Sequence, residues 1–227
     1  MPTNGYISIQ HPTSLKKPIS ISIQGAGKKF NREWIFRQLS FQFEPGNSYA
    51  ITGPNGSGKS TLLQCIAGAM HLSEGSLHYQ SVSSEATTQL AEEDFFKQVS
   101  IAAPYLELIE EMTALEFLSF HQHFKPFIPG IDIPEILEAV SLNKAANKQI
   151  RYFSSGMKQR LKLAQAFYSD VPIILLDEPC SNLDRAGYEL YKNLCSGPGK
   201  NRLTLVGSND PQETEFCQQR IHLPDYQ

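Results

Sequence analysis

The stretch Ser48-Tyr49-Ala50-Ile51-Thr52-Gly53-Pro54-Asn55-Gly56-Ser57-Gly58-Lys59-Ser60-Thr61 joins a short strand to a glycine-rich loop fitting GxxxxGK[ST]. Beyond it, Ser60 to Ala69 has helical spacing, with Leu62, Leu63, Ile66 and Ala67 on one side and Gly68 near the end. Strand, loop and helix in that order suit phosphate binding. Glycines let backbone N–H groups converge on phosphate oxygens where a Cβ would intrude. A helix starting near Lys59 points the positive end of its dipole at the same anion. On this reading Gly53, Pro54, Asn55, Gly56, Ser57, Gly58, Lys59, Ser60 and Thr61 cradle the phosphates of ATP or GTP. Lys59 bridges the β- and γ-phosphates, and the Ser60 hydroxyl binds Mg²⁺. Gly25-Ala26-Gly27, by contrast, reads as a plain turn.

A second signal lies far downstream. Val171-Pro172-Ile173-Ile174-Leu175-Leu176-Asp177-Glu178 carries four consecutive apolar residues that end in two carboxylates. A strand buried on both faces of a parallel sheet reads this way, with Pro172 tolerated at its start. Taken alone, the pair could be the solvated end of a buried strand. With the upstream loop it gains roles: Asp177 helps to hold Mg²⁺, and Glu178 orients and deprotonates the water that attacks the γ-phosphate. Together the two stretches make the chain a P-loop NTPase.

The rest of the sequence fits an α/β core with an insertion. Pro2 to Gln24 and Leu39 to Phe43 alternate as strands, and Glu44-Pro45-Gly46-Asn47 makes a turn. Apolar residues recur at helical spacing from Ala114 to Phe124 and from Pro134 to Ala146. Strand signals return at Val171–Leu176 and Leu203–Val206. One domain over residues 1–227 is therefore expected, with a nucleotide-binding core at 1–97 and 166–227 and a helical subdomain at 98–165.

Composition excludes some classes. Lys and Arg total 20 against 23 Asp and Glu, a formal charge of −3 that argues against nucleic acid held by a broad basic field. No apolar run approaches the length needed to cross a bilayer, and Met1 to Pro18 has no apolar export-signal core. The cysteines Cys65, Cys180, Cys195 and Cys217 form no CxxC pair, so they read as reduced, mostly buried thiols of a cytoplasmic protein.

At Phe153-Ser154-Ser155-Gly156-Met157-Lys158-Gln159-Arg160 the chain resembles the nucleotide-binding subunits of ABC (ATP-binding cassette) transporters. The segment is a variant of the family's LSGGQ signature, ahead of a helix read at Leu161–Phe167; as local structure it is also an ordinary helix cap. The likeness runs from about Ile19 to Leu223. It implies a RecA-like core with a mostly parallel sheet, an antiparallel β region and an inserted α-helical subdomain. It further implies a head-to-tail homodimer or heterodimer in which Ser154, Ser155 and Gly156 reach ATP bound by the opposite subunit. Ser181-Asn182-Leu183-Asp184 matches the family's D-loop, and Phe30 falls where an aromatic ring stacks on adenine, with core packing as its alternative. Trp34 falls in the following turn and is the weaker stacking candidate.

Two positions depart from the family pattern. The glutamine expected before the helical insertion aligns with Pro104, or with Ala103 or Tyr105 if the alignment shifts by one. The switch histidine aligns with Asn209, whose amide can donate to a γ-phosphate but cannot carry a proton. His121, His123 and His222 lie too far off along the chain to substitute, and read as surface or packing residues. The resemblance implies an Mg²⁺-dependent ATPase at the cytoplasmic face of a membrane, driving a separately encoded transmembrane permease subunit and hydrolysing slowly. A surface near Tyr105 to Glu111 is the expected docking region. A soluble ABC-type ATPase and a slow-hydrolysing ATP switch that holds a dimer, either acting on a protein assembly, are the alternatives. Thr113-Ala114-Leu115-Glu116-Phe117-Leu118 resembles the matching stretch in haem-exporter ATPases of cytochrome c maturation.

Overall fold

Two short central strands buried on both faces, Ile173–Asp177 and Leu203–Gly207, set the architecture. The computed structural model describes residues 16–82 and 87–227. Strands β1 (Ile19–Phe30) and β2 (Glu33–Phe43) form an antiparallel pair, and β3 (Ser48–Thr52) leads through the glycine-rich loop into helix α1 (Lys59–Ile66). Next come β4 (Glu74–Val82), β5 (Thr87–Gln89), the single-turn helix α2 (Glu92–Phe95) and β6 (Val99–Ala102). Helices α3 (Ala114–Phe124), α4 (Ile133–Ala139) and α5 (Ser155–Tyr168) precede β7 (Ile173–Asp177). The chain ends through α6 (Arg185–Ser196), β8 (Leu203–Gly207), α7 (Pro211–Thr214) and β9 (Gln219–His222).

The antiparallel sheet has the order β2-β1-β4-β5, and the second sheet, ordered β6-β7-β8-β3-β9, is parallel throughout. Because strand side chains alternate, β7 feeds two cores. Ile173 and Leu175 pack with Leu62, Leu63 and Ile66 of α1 and with Ile21, Ile23 and Leu39 of the antiparallel sheet. Ile174 and Leu176 pack on the other face with Leu161 and Leu163 of α5, Leu118 of α3 and Tyr191 of α6. The phosphate-loop helix is thus packed from both sides, which fixes its N-terminus against the sheet edge.

Several sequence expectations need revising. Residues 2–15 of the first expected strand lie outside the described residues; within them the strand begins at Ile19 and continues to Phe30. Gly25-Ala26-Gly27 is no turn. It lies inside β1 at irregularities in the pairing with β2, where Gly25 has φ 55°. Trp34 lies in β2 rather than in the turn, with the Arg37 guanidinium 4.5 Å and Lys29 Nζ 5.2 Å from its ring. The boundary expected at 98 falls just before β6, which pairs in parallel with β7, so the helical block starts only after Ala102. Helix α4 stops at Ala139 instead of reaching Ala146, because Val140 leaves the helical region and Ser141 has φ 59°. Helix α5 begins at Ser155, not Leu161, so the signature residues form its first turn.

Among the histidines, His121 is half-buried against Phe127, and its Nε2 bonds the Ser169 hydroxyl at 2.8 Å. Burial, helped by the nearby Lys125 charge, pushes its pKa down from 6.5 to about 4. Unfolding releases a ring that protonates more readily, so this contribution is complete above pH 6.5 and lost as the pH falls toward 4. Across that window the slope should approach about 1.4 kcal/mol per pH unit. Urea unfolding of wild type and His121→Gln at pH 7 and pH 4.5 should show the variant losing clearly less stability on acidification.

Candidate nucleotide site

Strand register gathers the site. Ile51 of β3 and Asp177 of β7 both pair with Gly207 of β8, and Ala102 of β6 pairs with Leu176. Four strands therefore end at one level, the edge where parallel sheets bind ligands. Gly53, Glu178, Ser208 and Ala103 emerge side by side from it.

The loop between β3 and α1 needs its glycines. Gly53, Gly56 and Gly58 have φ of 146°, 83° and 98°, values that disfavour side chains. A Cβ on Gly58 would also lie 2.3 Å from Ile35 Cγ2. Gly58 caps α1 without a side-chain hydrogen bond, which leaves the helix N-terminus open toward the cleft. Lys59 is buried, and its Nζ donates to the carbonyls of Gly53 at 2.7 Å and Pro54 at 3.2 Å. The Ser57 hydroxyl is buried with no hydrogen-bond partner. An open helix end, an orphaned hydroxyl and a buried ammonium suit a polyphosphate. Around them is a cleft of about 220 Å³, lined by Ile35, Asn55, Gly56, Gly58, Lys59, Ser60, Thr61 and Glu178.

Two carboxylates meet this loop. Asp177 is buried; desolvation raises its pKa, while a hydrogen bond to Ser60 and the charge of Lys59 partly offset that rise. A hydroxyl and a carboxylate are hard oxygen donors of the kind Mg²⁺ takes alongside substrate phosphates. Among the described residues no group of three His, Cys, Asp or Glu side chains could hold a metal by itself. Ser60 and Asp177 therefore fit a cation that arrives with the nucleotide. Glu178 is exposed on the cleft wall, with φ 43° and its N–H donating to Gly207 O at 2.9 Å. A non-glycine residue in the left-handed region carries strain of about 1–3 kcal/mol, here turning the carboxylate out of the sheet.

Asn209 follows β8, and its Oδ1 accepts from the Gly53 N–H at 3.0 Å, leaving the NH₂ end to donate. Pro104 offers only its carbonyl, and Lys162 Nζ takes both that carbonyl at 3.0 Å and that of Ala103 at 3.1 Å. Phe30 is 46% exposed at the end of β1 with Lys28 Nζ 5.2 Å from its ring centroid, so it is not a core residue. Of the outlying histidines, His123 is exposed and His222 contacts the Thr52 hydroxyl just before the loop.

The signature residues do not line this cleft. Ser154 caps α5, its hydroxyl accepting from Met157 N–H at 3.2 Å, and Ser155 is exposed. A Cβ on Gly156 would lie 3.0 Å from the Asn182 carbonyl, and Gln159 Nε2 donates to Pro179 O at 2.7 Å. The segment is thereby locked to the loop after Glu178.

Sequence reading missed two residues here. Ile35 packs under Gly58, and nothing in its local pattern marks it. Gly207 lies where a Cβ would come 3.2 Å from Asp177 Oδ1 and 3.5 Å from Lys59 Cβ. A glycine closing an otherwise apolar strand is the signal that could have found it.

The family model described as ABC transporter matches residues 36–181. This chain belongs to the ABC transporter family. It is an ATP-binding subunit of that family, similar to "Nod factor export ATP-binding protein I" of Rhizobium johnstonii, with 29% identity over 92% of this chain and 68% of the relative. It is also 33% identical to "Cytochrome c biogenesis ATP-binding export protein CcmA" of Xylella fastidiosa, over 77% of this chain and 78% of that protein. Among solved structures, a putative ABC transporter ATP-binding protein from Pyrococcus furiosus superposes with TM-score 0.73 at 17% identity, covering 91% of this chain and 98% of its own. The ATP-binding cassette MJ0796, a dimer in a post-hydrolysis state with ADP and Pi, gives TM-score 0.71 at 24% identity, over 89% and 93%. These neighbours share the fold of a parallel sheet, an antiparallel sheet and covering helices.

The ABC subunit's cleft makes two expectations measurable. Gly58→Ala should cost about 1–3 kcal/mol of loop strain, weakening ATP binding about 5- to 150-fold in a fluorescent-nucleotide titration. Asp177 gives the second. Its folded pKa is raised, so its stabilising contribution is complete only below its unfolded pKa near 3.8 and is lost as the pH rises through the folded value. Asp177→Asn should therefore raise the melting temperature of the nucleotide-free ABC subunit at neutral pH by about 2–4 °C while abolishing the extra gain from Mg²⁺ with ATP.

Proposed function

We propose that this ABC subunit binds Mg-ATP in the cleft at the sheet edge and hydrolyses it to drive a separately encoded transmembrane permease subunit. The carrying observation is the convergence of Lys59, Ser60, Asp177, Glu178 and Asn209 on one end of α1. Loop N–H groups and Lys59 hold the phosphates, and the α1 dipole adds to their field. Ser60 and Asp177 would hold Mg²⁺, which, when bound, neutralises charge on the phosphates. Glu178 accepts the proton of the attacking water, a role typically contributing about 10²–10⁴-fold. Asn209 donates its free amide hydrogens toward the γ-phosphate, and Phe30 stacks on adenine.

The nucleotide core and the helical block act as one domain. Ser154, Ser155 and Gly156 do not line their own chain's cleft, which supports their serving a second copy or a paralogous subunit in a head-to-tail dimer. Among the described residues no helix is long and apolar enough to cross a membrane, which fits a subunit peripheral at the cytoplasmic face. Both relatives whose names state a task are exporters, which favours export as the direction.

Hydrolysis should be slow. A neutral asparagine replaces the charge-bearing switch histidine, and Pro104 has no side-chain amide. A lost charge-assisted contact costs on the order of 1.5–3 kcal/mol, or one to two decades in rate. Three variants test the reading in a steady-state phosphate-release assay with parallel size-exclusion runs in ATP. Lys59→Ala should abolish nucleotide binding. Glu178→Gln should bind ATP, form a stable dimer and lose at least about 10²-fold in kcat. Asn209→His should raise kcat about tenfold. Turnover unaffected by Glu178→Gln sinks the proposed base, and ATP-held dimers without any turnover favour the switch reading.

A further inference from the structure

One face of α6 lies along the segment that follows Asn209. The Tyr188 hydroxyl donates to Asp210 Oδ2 at 2.7 Å, and the Tyr191 hydroxyl donates to Glu213 O at 2.9 Å. Lys192 Nζ pairs with Glu215 Oε1 at 2.7 Å. Positions 188, 191 and 192 are three and four residues apart, so they share that face. Of the three, Tyr188 alone reaches the residue next to Asn209. The start of α6 holds it there. Asp184 caps the helix, its Oδ1 accepting from Gly187 N–H at 2.8 Å and pairing with Arg160 Nη2 at 3.2 Å. The Asp184 carbonyl accepts the Tyr188 N–H at 3.0 Å, and the half-buried ring packs on the core of Leu190 and Tyr191. The bond to Asp210, then burial, raises the phenol's pKa above its ordinary value, so the group stays protonated and donates.

Asp210 passes this constraint to its neighbour. Its Oδ1 accepts from Gln212 N–H at 2.8 Å, and its own N–H donates to Ser208 Oγ at 2.9 Å. The Ser208 N–H in turn donates to Ile51 O at 3.1 Å, at the end of β3. Asn209 therefore hangs between one residue anchored to the sheet and one anchored to α6. Its side chain is exposed and accepts from the Gly53 N–H at 3.0 Å. A short amide has little reach, so where it points depends on the backbone that carries it.

We infer that Tyr188 is a positioning residue for Asn209, fixing through Asp210 the backbone from which the amide faces the nucleotide's terminal phosphate. The inference rests on the reading of the cleft as an Mg-ATP site with Asn209 at the γ-phosphate. The Tyr188 hydroxyl should then matter for ATP and not for ADP, and only while Asn209 is present.

The test uses the full chain as wild type, Tyr188→Phe, Asn209→Ala and the double variant. Tyr191→Phe serves as a control that loses the α6 bond to Glu213 instead. All are checked by thermal unfolding. A slowly hydrolysed fluorescent ATP analogue and its ADP counterpart are titrated in MgCl₂, and exchange of the Gly53 amide is followed by NMR without nucleotide. Tyr188→Phe should bind ADP as wild type does, bind ATP about three- to tenfold more weakly, and exchange the Gly53 amide faster. In the Asn209→Ala background the same substitution should add little, because the two residues act as one unit. Tyr191→Phe should lower the melting temperature yet keep the wild-type preference for ATP over ADP. An unchanged ATP preference in Tyr188→Phe overturns the inference. So does a full Tyr188→Phe effect in the Asn209→Ala background, which marks a merely structural role. If Tyr188→Phe does not fold, Asp210→Ser, which keeps a capping oxygen but loses Oδ2, decides by the same criteria. If the wild type does not bind Mg-ATP, the proposed function fails, and Gly53 amide exchange alone decides for or against Tyr188.

Discussion

Everything functional in this chain depends on four parallel strands ending at one level. Ile51 and Asp177 flank Gly207 in register, and Ala102 lies beside Leu176. A shift of one residue in β7 would turn the faces of Ile173 and Ile174 around, exposing each to the wrong core. Register is therefore enforced by burial on both faces of the sheet, well away from the cleft. The chemistry inherits that precision: Asp177 meets Ser60 because α1 and β7 are both pressed into the same apolar layer. Gly207 completes the fit by having no Cβ between Asp177 and Lys59.

A second layer of contacts joins the loops that emerge from those strands. Glu213 is buried, its Oε1 accepts from Cys180 N–H at 2.7 Å, and its carboxyl bonds Ser208. One side chain thus ties the segment after Glu178 to the segment that carries Asn209. Gln159 and Gly156 then join the first of these segments to α5, and Lys162 joins α5 to Ala103 and Pro104. Movement of α5 would strain loops on two strands at once. The helical block is thereby coupled mechanically to the sheet edge, because hydrogen bonds are costly to leave unmade.

What the sequence made legible follows from the range of each signal. The phosphate loop and the acidic strand end are local patterns with a local mechanism, so both could be read from adjacent residues. Helix α3 was equally clear from its apolar spacing, and the structure adds a capping box of Thr113 and Glu116 at its start. The errors came where tertiary contacts decided. Gly25 and Gly27 look like a turn, but pairing on both sides of β1 makes them an irregularity within a strand. β6 is only four residues long and was absorbed into the helical block, although pairing with β7 assigns it to the sheet. Ile35 gains its position from a partner far along the chain, and no local periodicity encodes such a meeting.

Several groups of the cleft carry costs that the rest of the fold leaves unmet. Ser57 keeps a buried hydroxyl without a partner, a penalty of about 1–3 kcal/mol. Glu178 holds a left-handed backbone, and Asp177 keeps a carboxylate in a desolvated position. Lys59 satisfies itself only by turning to the carbonyls of its own loop. Each of these costs falls on a group that a bound polyphosphate and its cation would engage. The surrounding sheet and helices carry the strain, because one apolar core holds α1 and both hold β7. A ligand that engages these groups would offset those costs. The asymmetry lies between a rigid scaffold of strands and a loop set with more to gain from a polyphosphate than from itself.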